Sequence, residues 1–228
     1  MRPLMQKYIL KNIKKLTLDV FELDFEGENE LKIIPGQFIT FMIDGIGARA
    51  YSILEKDGKN LKFIIKKVEL KEGGRGGSKY LCEMEVGAEL KGIGASGHFV
   101  FRENNLNKVF FATGTGFVPI FFQIKNALEK GFSGKIKFVF GVRFEKDLFY
   151  LEELENLKNI YKNFDFTIYL SREKSKIHKI GYISDEIKYL KNNFEEAYIC
   201  GNSEVVDSVK KILLKNDFDE RNIFEEKY

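Results

Sequence analysis

The sequence predicts two domains of different class, an N-terminal antiparallel β-barrel followed by an α/β domain on a parallel sheet. Three observations carry this. Tyr8 to about Phe101 runs in short alternating stretches broken by Gly, Asp and Asn, as in antiparallel sheets with one buried face. From Lys108 the rhythm becomes strand, helix, strand, helix, which calls for parallel strands joined by crossover helices. The change is marked by K-V-F-F-A-T-G-T-G-F-V-P at Lys108 to Pro119, an apolar run that ends in two glycines and a proline.

In the first half, strands are expected at Leu16 to Phe25, Gln37 to Ile43, Ala50 to Leu54 and Leu61 to Val68. Glu26-Gly27, Asp44-Gly45 and Asp57-Gly58 are turn signals, Pro35-Gly36 opens a strand, and a helical stretch lies around Ser78 to Met84. Strands at this spacing suit a small barrel. The polar segment Arg102 to Asn107 separates the halves, giving domains at residues 1–103 and 104–228. In the second half, Val109 to Ala112 supply the continuous apolar run of a buried parallel strand. Gly114 and Gly116 allow a hard turn and close approach of a ligand, and Pro119 suits the first turn of a helix, whose unpaired amides would face a phosphate. Further strands are expected at Lys135 to Phe140, Phe164 to Leu170, Ala197 to Cys200 and Asn222 to Glu225. Helices are expected at Pro119 to Lys130, Leu148 to Leu157, Ser184 to Lys191 and Ser203 to Lys215. Gly114, Gly141, Ser171 and Gly201 each follow a strand, so four small-residue turns share the rim where parallel sheets bind ligands.

Composition narrows the function classes. With 228 residues, 44% hydrophobic and 31% charged, the chain can build two modest cores. Its 37 basic and 34 acidic residues are too balanced for a dedicated nucleic-acid binder. Cys82 and Cys200 lie far apart, and with only His98 and His178 beside them no thiolate cluster or metal centre is expected. The N-terminus M-R-P-L-M-Q-K-Y lacks the apolar core of a signal peptide, and no run approaches the ~18 apolar residues of a membrane span. The expected location is the cytoplasm.

Two motifs in the first half offer chemistry. Arg49-Ala50-Tyr51-Ser52 places Arg49 and Tyr51 on one face of a strand. A cation for phosphate, an aromatic plate and a hydroxyl near the reactive nitrogen are what a flavin needs, and the same residues also suit an ordinary edge strand. Gly73, Gly74, Gly76 and Gly77, followed by Ser78, read as a phosphate-binding helix start or equally as a solvent loop.

From about Pro35 to the last residue the chain resembles the ferredoxin-NADP reductase family. P-G-Q-F at Pro35 to Phe38 is similar to the family's first barrel motif, and R-A-Y-S to its flavin motif. By this resemblance Arg49 meets the flavin pyrophosphate, Tyr51 flanks the ring and Ser52 sits near N5. F-I-I-K-K at Phe63 to Lys67 resembles the strand whose backbone touches flavin, implying Ile64, Ile65 and Lys66. G-G-S-K-Y-L resembles the helix start that holds the pyrophosphate, implying Gly76, Gly77 and Ser78. G-A-S-G-H-F at Gly94 to Phe99 departs from the family's G-P-x-G-x-F at Ala95.

In the second half G-T-G-F-V-P, G-V-R-F-E-K-D-L-F-Y at Gly141 to Tyr150 and Y-I-C-G-N at Tyr198 to Asn202 resemble the nicotinamide side. The resemblance implies NAD(P) contacts at Thr115, Gly116, Pro119, Gly141, Cys200 and Gly201, with Cys200 beside the nicotinamide carbon. Ser171 and Arg172 resemble the pair for an adenosine 2′-phosphate; Arg143 could join them and Tyr182 stack on adenine, favouring NADPH, with NADH the other donor. The ending I-F-E-E-K-Y resembles the family's own, implying Glu226 near the flavin and Tyr228 against it or the adenine; a frayed polar tail is the alternative. Ser52, Cys200 and Glu226 are the expected catalytic residues. The implied activity is a flavoprotein oxidoreductase that takes electrons from NAD(P)H onto FAD and passes them to ferredoxin or flavodoxin, across a cleft between the domains. Lys11, Lys14, Lys15, Lys66 and Lys67 form a candidate docking face. The alternatives are an NAD(P)H:flavin reductase, a reductase subunit of an oxygenase or hydrogenase, and a non-catalytic flavin- or nucleotide-binding module.

Overall fold

The computed structural model describes residues 4–190 and 193–228; the first three residues of the N-terminal reading and Lys191, expected to end a helix, lie outside the described residues. The chain divides into two compact units, Met1–Val100 and Phe101–Tyr228, each organised on its own sheet.

The first unit contains β1 (Leu4–Lys15), β2 (Val20–Gly27), β3 (Phe38–Ile43), β4 (Gly47–Ser52), β5 (Glu55–Asp57), β6 (Asn60–Lys66), the short helix α1 (Gly77–Cys82) and β7 (Glu89–Ser96). They form an antiparallel seven-stranded sheet in the order β4-β3-β7-β1-β2-β6-β5. The chain passes from β4 at one edge to β5 at the other through buried Ile53 and Leu54. Their amides donate to Gln37 O (3.0 Å) and Lys62 O (2.8 Å), so the crossing segment is held at one end beside β3 and at the other beside β6. Alternation along β3 turns Ile39, Phe41 and Ile43 inward. Phe41 then packs against Tyr8, Phe25 and Phe63 at ring distances of 5.4, 5.1 and 5.4 Å. The strand expected from Leu16 starts at Val20, because Leu16 to Asp19 form a turn in which the Thr17 hydroxyl accepts from the Val20 amide (3.2 Å).

The second unit contains β8 (Lys108–Thr113), α2 (Phe117–Glu129), β9 (Ile136–Val142), α3 (Leu151–Ile160), β10 (Phe164–Leu170), β11 (Lys179–Ile180), β12 (Glu196–Gly201), α4 (Ser203–Lys215) and β13 (Ile223–Lys227). All pairings are parallel, in the order β11-β10-β9-β8-β12-β13. The chain reverses its direction of strand addition between β8 and β12, the switch point at which such sheets bind ligands. The helix expected over Ser184 to Lys191 is a run of 3₁₀ turns, Ile183–Tyr189, pinned at its start where Asp185 accepts from the Tyr182 amide (2.8 Å) and buried along Ile183, Glu186 and Ile187.

A buried ion pair closes the other end of this sheet. Lys108 and Glu196, the first residues of β8 and β12, are 0% and 1% exposed and meet at 2.9 Å. Lys108 Nζ also donates to Asn104 Oδ1 (2.5 Å) and Leu106 O (3.2 Å), while Tyr198 Oη donates to Glu196 (3.0 Å) and accepts from the Arg102 amide (3.0 Å). The charges are thereby paired and hydrogen-bonded, as burial requires. They also bind residues 101–106 to the second unit.

Candidate functional site

In the first unit Arg49 and Tyr51 share a face of β4, opposite Phe41 and Ile39 of β3. Arg49 reaches to the glycine-rich segment: its Nη1 donates to Ala48 O (2.8 Å) and its Nη2 to Arg75 O (3.0 Å). Its Nε is buried without a partner, an orphaned donor on a cation. Gly76 adopts φ 83°, and a Cβ on Gly77 would lie 2.6 Å from Arg49 Cγ and 2.8 Å from Tyr51 Oη. Glycine at 77 therefore lets the segment close over both side chains. The Ser78 hydroxyl accepts from the Val68 amide (3.1 Å), so its own proton remains available to an acceptor. Burial pushes the Tyr51 phenol up to about 12, keeping it neutral. Ala50 is exposed and Ser52 half-buried at the end of the strand; Ile64 and Ile65, on opposite faces of β6, are both buried, and Lys66 is exposed, paired with Asp19 at 3.0 Å.

In the second unit the ends of β8, β12 and β13 bring Thr113, Thr115, Gly116, Cys200, Gly201, Glu226 and Tyr228 to one rim. Cys200 pairs in register with Glu226, and Sγ lies 4.0 Å from Oε2. Burial pushes Glu226 up to about 7 and, with Glu226 beside it, raises the Cys200 thiol well above its ordinary value. Cys200 is thus a neutral thiol and Glu226 a carboxyl that titrates near neutrality. A Cβ on Gly116 would collide with the Cys200 carbonyl, so glycine lets the turn lie flat on β12.

The turn differs from expectation in one respect. The Gly116 amide is not open: it donates to Tyr228 Oη (3.2 Å), which itself donates to Thr113 O (2.7 Å). Tyr228 is therefore no frayed tail. The residue as a whole is 62% exposed, yet burial of its hydroxyl pushes the phenol up to about 12. Pro119, the third residue of α2, is buried and stands in the first turn of the helix, as its sequence position suggests. Sequence reading passed over Thr113, whose Oγ1 is buried beside the Tyr228 hydroxyl; a polar residue closing the apolar run of β8 was the available signal.

Farther along the rim, the Ser171 and Arg172 amides donate to Val142 O and Arg143 O, both at 3.0 Å, which sets Arg143 and Arg172 on neighbouring strand ends. Both arginines are exposed, Ser171 is half-buried and Tyr182 is 68% exposed. Gly141 is buried, and a Cβ there would lie 2.6 Å from the Ile183 side chain. The expected lysine face is not bare. Lys11 pairs with Glu26 (2.9 Å), Lys66 with Asp19 (3.0 Å) and Lys67 with Glu83 (2.6 Å), because opposite charges on adjacent strands and on the α1 side meet them. Among the described residues no cluster of three His, Cys, Asp or Glu could hold a metal, and no helix is long and apolar enough to cross a membrane.

These two arrangements coincide with matches to known domains. A model described as an oxidoreductase FAD-binding domain matches residues 7–101, and one described as an oxidoreductase NAD-binding domain matches residues 110–211. The chain is 30% identical over 182 residues to a flavodoxin/ferredoxin-NADP reductase of Buchnera aphidicola, covering 74% of this chain and 72% of that one. It is 29% identical over 215 residues to ferredoxin-NADP reductase B of Sorangium cellulosum, covering 88% and 87%. The toluate 1,2-dioxygenase electron transfer component of Pseudomonas putida is 26% identical over 226 residues, 96% of this chain but 66% of that one. Among solved structures, ferredoxin-NADP+ reductase from Plasmodium falciparum superposes with a TM-score of 0.82 at 27% identity over 99% of this chain and 96% of that one. The fold is also that of an Amycolatopsis cytochrome P450 reductase, with a TM-score of 0.90 at 20% identity over 99% and 70%.

Proposed function

Because the chain belongs to the ferredoxin-NADP reductase-like family of oxidoreductases, with FAD and NAD(P)H as cofactors, we propose that it oxidises NAD(P)H and delivers the electrons to a ferredoxin- or flavodoxin-like carrier. The observation that carries this reading is the pair of prepared sites on one chain: an arginine with an orphaned buried donor beside a glycine cradle, and a neutral thiol next to a near-neutral carboxyl. Both sites fit their groups. Bound flavin supplies what side chains cannot, accepting two electrons from a nicotinamide and releasing them singly.

The chain's own residues bind, orient and exclude water. Arg49 and the Gly76-Gly77-Ser78 segment hold the flavin pyrophosphate, Tyr51 lies against the ring, Ser52 hydrogen-bonds at its edge, and the backbone of Ile64 to Lys66 lines it. Thr115, Gly116 and Gly201 shape the nicotinamide turn. Tyr228 occupies the Gly116 amide and must yield it before that amide can serve a nucleotide. Cys200 presents an uncharged, polarisable wall, and Glu226 holds or gives up a proton beside it. At the adenosine end Arg143, Ser171 and Arg172 suit a 2′-phosphate, with Tyr182 as a plate for adenine, so NADPH is the proposed donor. Two free, buried cysteines suit the reducing cytoplasm, the proposed compartment.

A second reading is favoured by the oxygenase relatives. The chain spans 66% of the toluate component and 55% of a propane 2-monooxygenase reductase component of Rhodococcus jostii, and service as the reductase part of an oxygenase system is the second reading. The deciding experiment compares NADPH-dependent reduction of ferredoxin, flavodoxin and free flavin by the FAD-loaded protein. Turnover with a protein carrier at low protein concentration supports the reading; turnover with free flavin alone replaces it with a flavin reductase. In the same assay Arg172→Ala should lower kcat/KM for NADPH about tenfold and leave NADH unchanged, and an unaltered preference refutes the 2′-phosphate assignment.

A further inference from the structure

One buried carboxylate stands behind the adenosine-side residues and takes no part in the roles above. Glu186, 4% exposed, lies in the 3₁₀ run Ile183–Tyr189. It collects partners from three strands. Tyr169 Oη on β10 donates to Oε2 at 2.8 Å, Lys179 Nζ on β11 donates to the same oxygen at 2.7 Å, and Thr167 Oγ1 donates to Oε1 at 3.3 Å. Lys137 Nζ of β9 lies 3.7 Å from Oε1. Burial acts to raise this carboxyl, but the hydrogen bonds from Lys179 and Tyr169 and the charge of Lys137 outweigh it and hold the group below its ordinary value.

The partners matter because of what they support. β11 is the edge of the sheet and pairs with β10 through only two residues, Lys179 and Ile180, of which Ile180 is 59% exposed. Two residues of ladder with no buried side chain hold an edge strand weakly. Lys179 supplies the missing anchor through Glu186, and its Nζ also lies 4.6 Å from the Tyr189 ring centre. Immediately after β11, the Gly181 amide donates to Leu170 O (3.0 Å) and exposed Tyr182 opens the 3₁₀ run that contains Glu186. Tyr182 is therefore suspended between two pieces of chain, β11 and the 3₁₀ run, which Glu186 joins to each other and to the sheet.

We propose that Glu186 is a positioning residue for the adenosine end of NAD(P)H: it clamps Lys179 and its own turn onto β10 and so fixes Tyr182 beside Ser171 and Arg172, without touching the nucleotide. This rests on the nucleotide-binding reading of the second unit. An apolar residue of similar size could fill the same space but would leave Lys179 and Tyr169 without their acceptor.

The test uses FAD-loaded protein titrated calorimetrically with 2′-phospho-AMP and with AMP, which carry the adenosine end alone. Glu186→Gln and Lys179→Ala should each weaken the tighter of the two ligands about tenfold. In turnover both variants should raise KM for the dinucleotide by a similar factor at unchanged kcat, and leave the rate with reduced nicotinamide mononucleotide at the parent value. Lys179→Ala removes a half-exposed side chain and keeps the proposal falsifiable if the Glu186 variant folds poorly. Unaltered adenosine-ligand affinity in either folded variant overturns the proposal, as does an equal loss with the mononucleotide. A parent that binds neither adenosine ligand and oxidises no dinucleotide would instead overturn the underlying reading.

Discussion

Replacing Glu226 by glutamine removes a carboxyl that burial at the end of β13 pushes up to about 7, against an ordinary value of 4.5. Because the folded state binds this proton more tightly than the unfolded state, the contribution of the group to stability is complete below about pH 4.5. It is lost progressively as pH rises to about 7 and changes no further above that. At 1.36 kcal/mol per pH unit the full loss is about 3 kcal/mol. Glutamine cannot ionise, so the variant escapes this loss. Urea unfolding of parent and Glu226→Gln, followed by circular dichroism, should give a stability difference that moves toward the variant by up to about 3 kcal/mol between pH 4.5 and pH 8. A difference independent of pH, or one moving toward the parent, would refute the assignment of a buried, near-neutral carboxyl beside Cys200. The same titration bears on function, since a group half-protonated near pH 7 can hold or release a proton at the pH where the enzyme works.

Three other outcomes follow from the geometry. Tyr51→Ala and Arg49→Ala should each weaken FAD binding at least about tenfold in a fluorescence titration, and unchanged affinity in both would sink the flavin assignment. Gly77→Ala, whose Cβ would press on Arg49 and Tyr51, should weaken FAD similarly while leaving the second unit's adenosine-ligand affinity intact. Glu196→Ala leaves Lys108 charged and unpaired in the interior and should cost about 3–5 kcal/mol in unfolding experiments on the second unit; a loss below about 1 kcal/mol would show that the pair is not buried as described.

The sequence carried local information well and long-range information poorly. Helix α4 was legible to its ends because its signals are local: Asn202 caps it, accepting from the Val205 amide at 2.9 Å, and an apolar stripe buries Val206, Val209 and Leu213. Strand β10 was equally legible as an apolar, β-branched and aromatic run between polar turns. Strands β1 and β7 were not singled out, since each is recognised by pairing with the other across most of the first unit. The rim at the ends of β8, β12 and β13 was half legible. Cys200 and Glu226 could be named from motifs, but their 4.0 Å approach depends on parallel pairing of β12 with β13, and the hold of Tyr228 on the Gly116 amide spans more than a hundred residues. The pairing of Lys11 with Glu26, Lys66 with Asp19 and Lys67 with Glu83 was not legible, because these partners come together only in the folded chain.

The central claim is that one chain holds a flavin in its first unit and lets a nicotinamide bound by its second unit reduce it. The most direct test is an anaerobic titration of the FAD-loaded protein with NADPH and then NADH, followed by visible absorbance. The account predicts a flavin band that bleaches stoichiometrically, at lower concentrations of NADPH than of NADH. A protein that acquires no flavin band when given FAD, or whose band persists under excess of both donors, would contradict it.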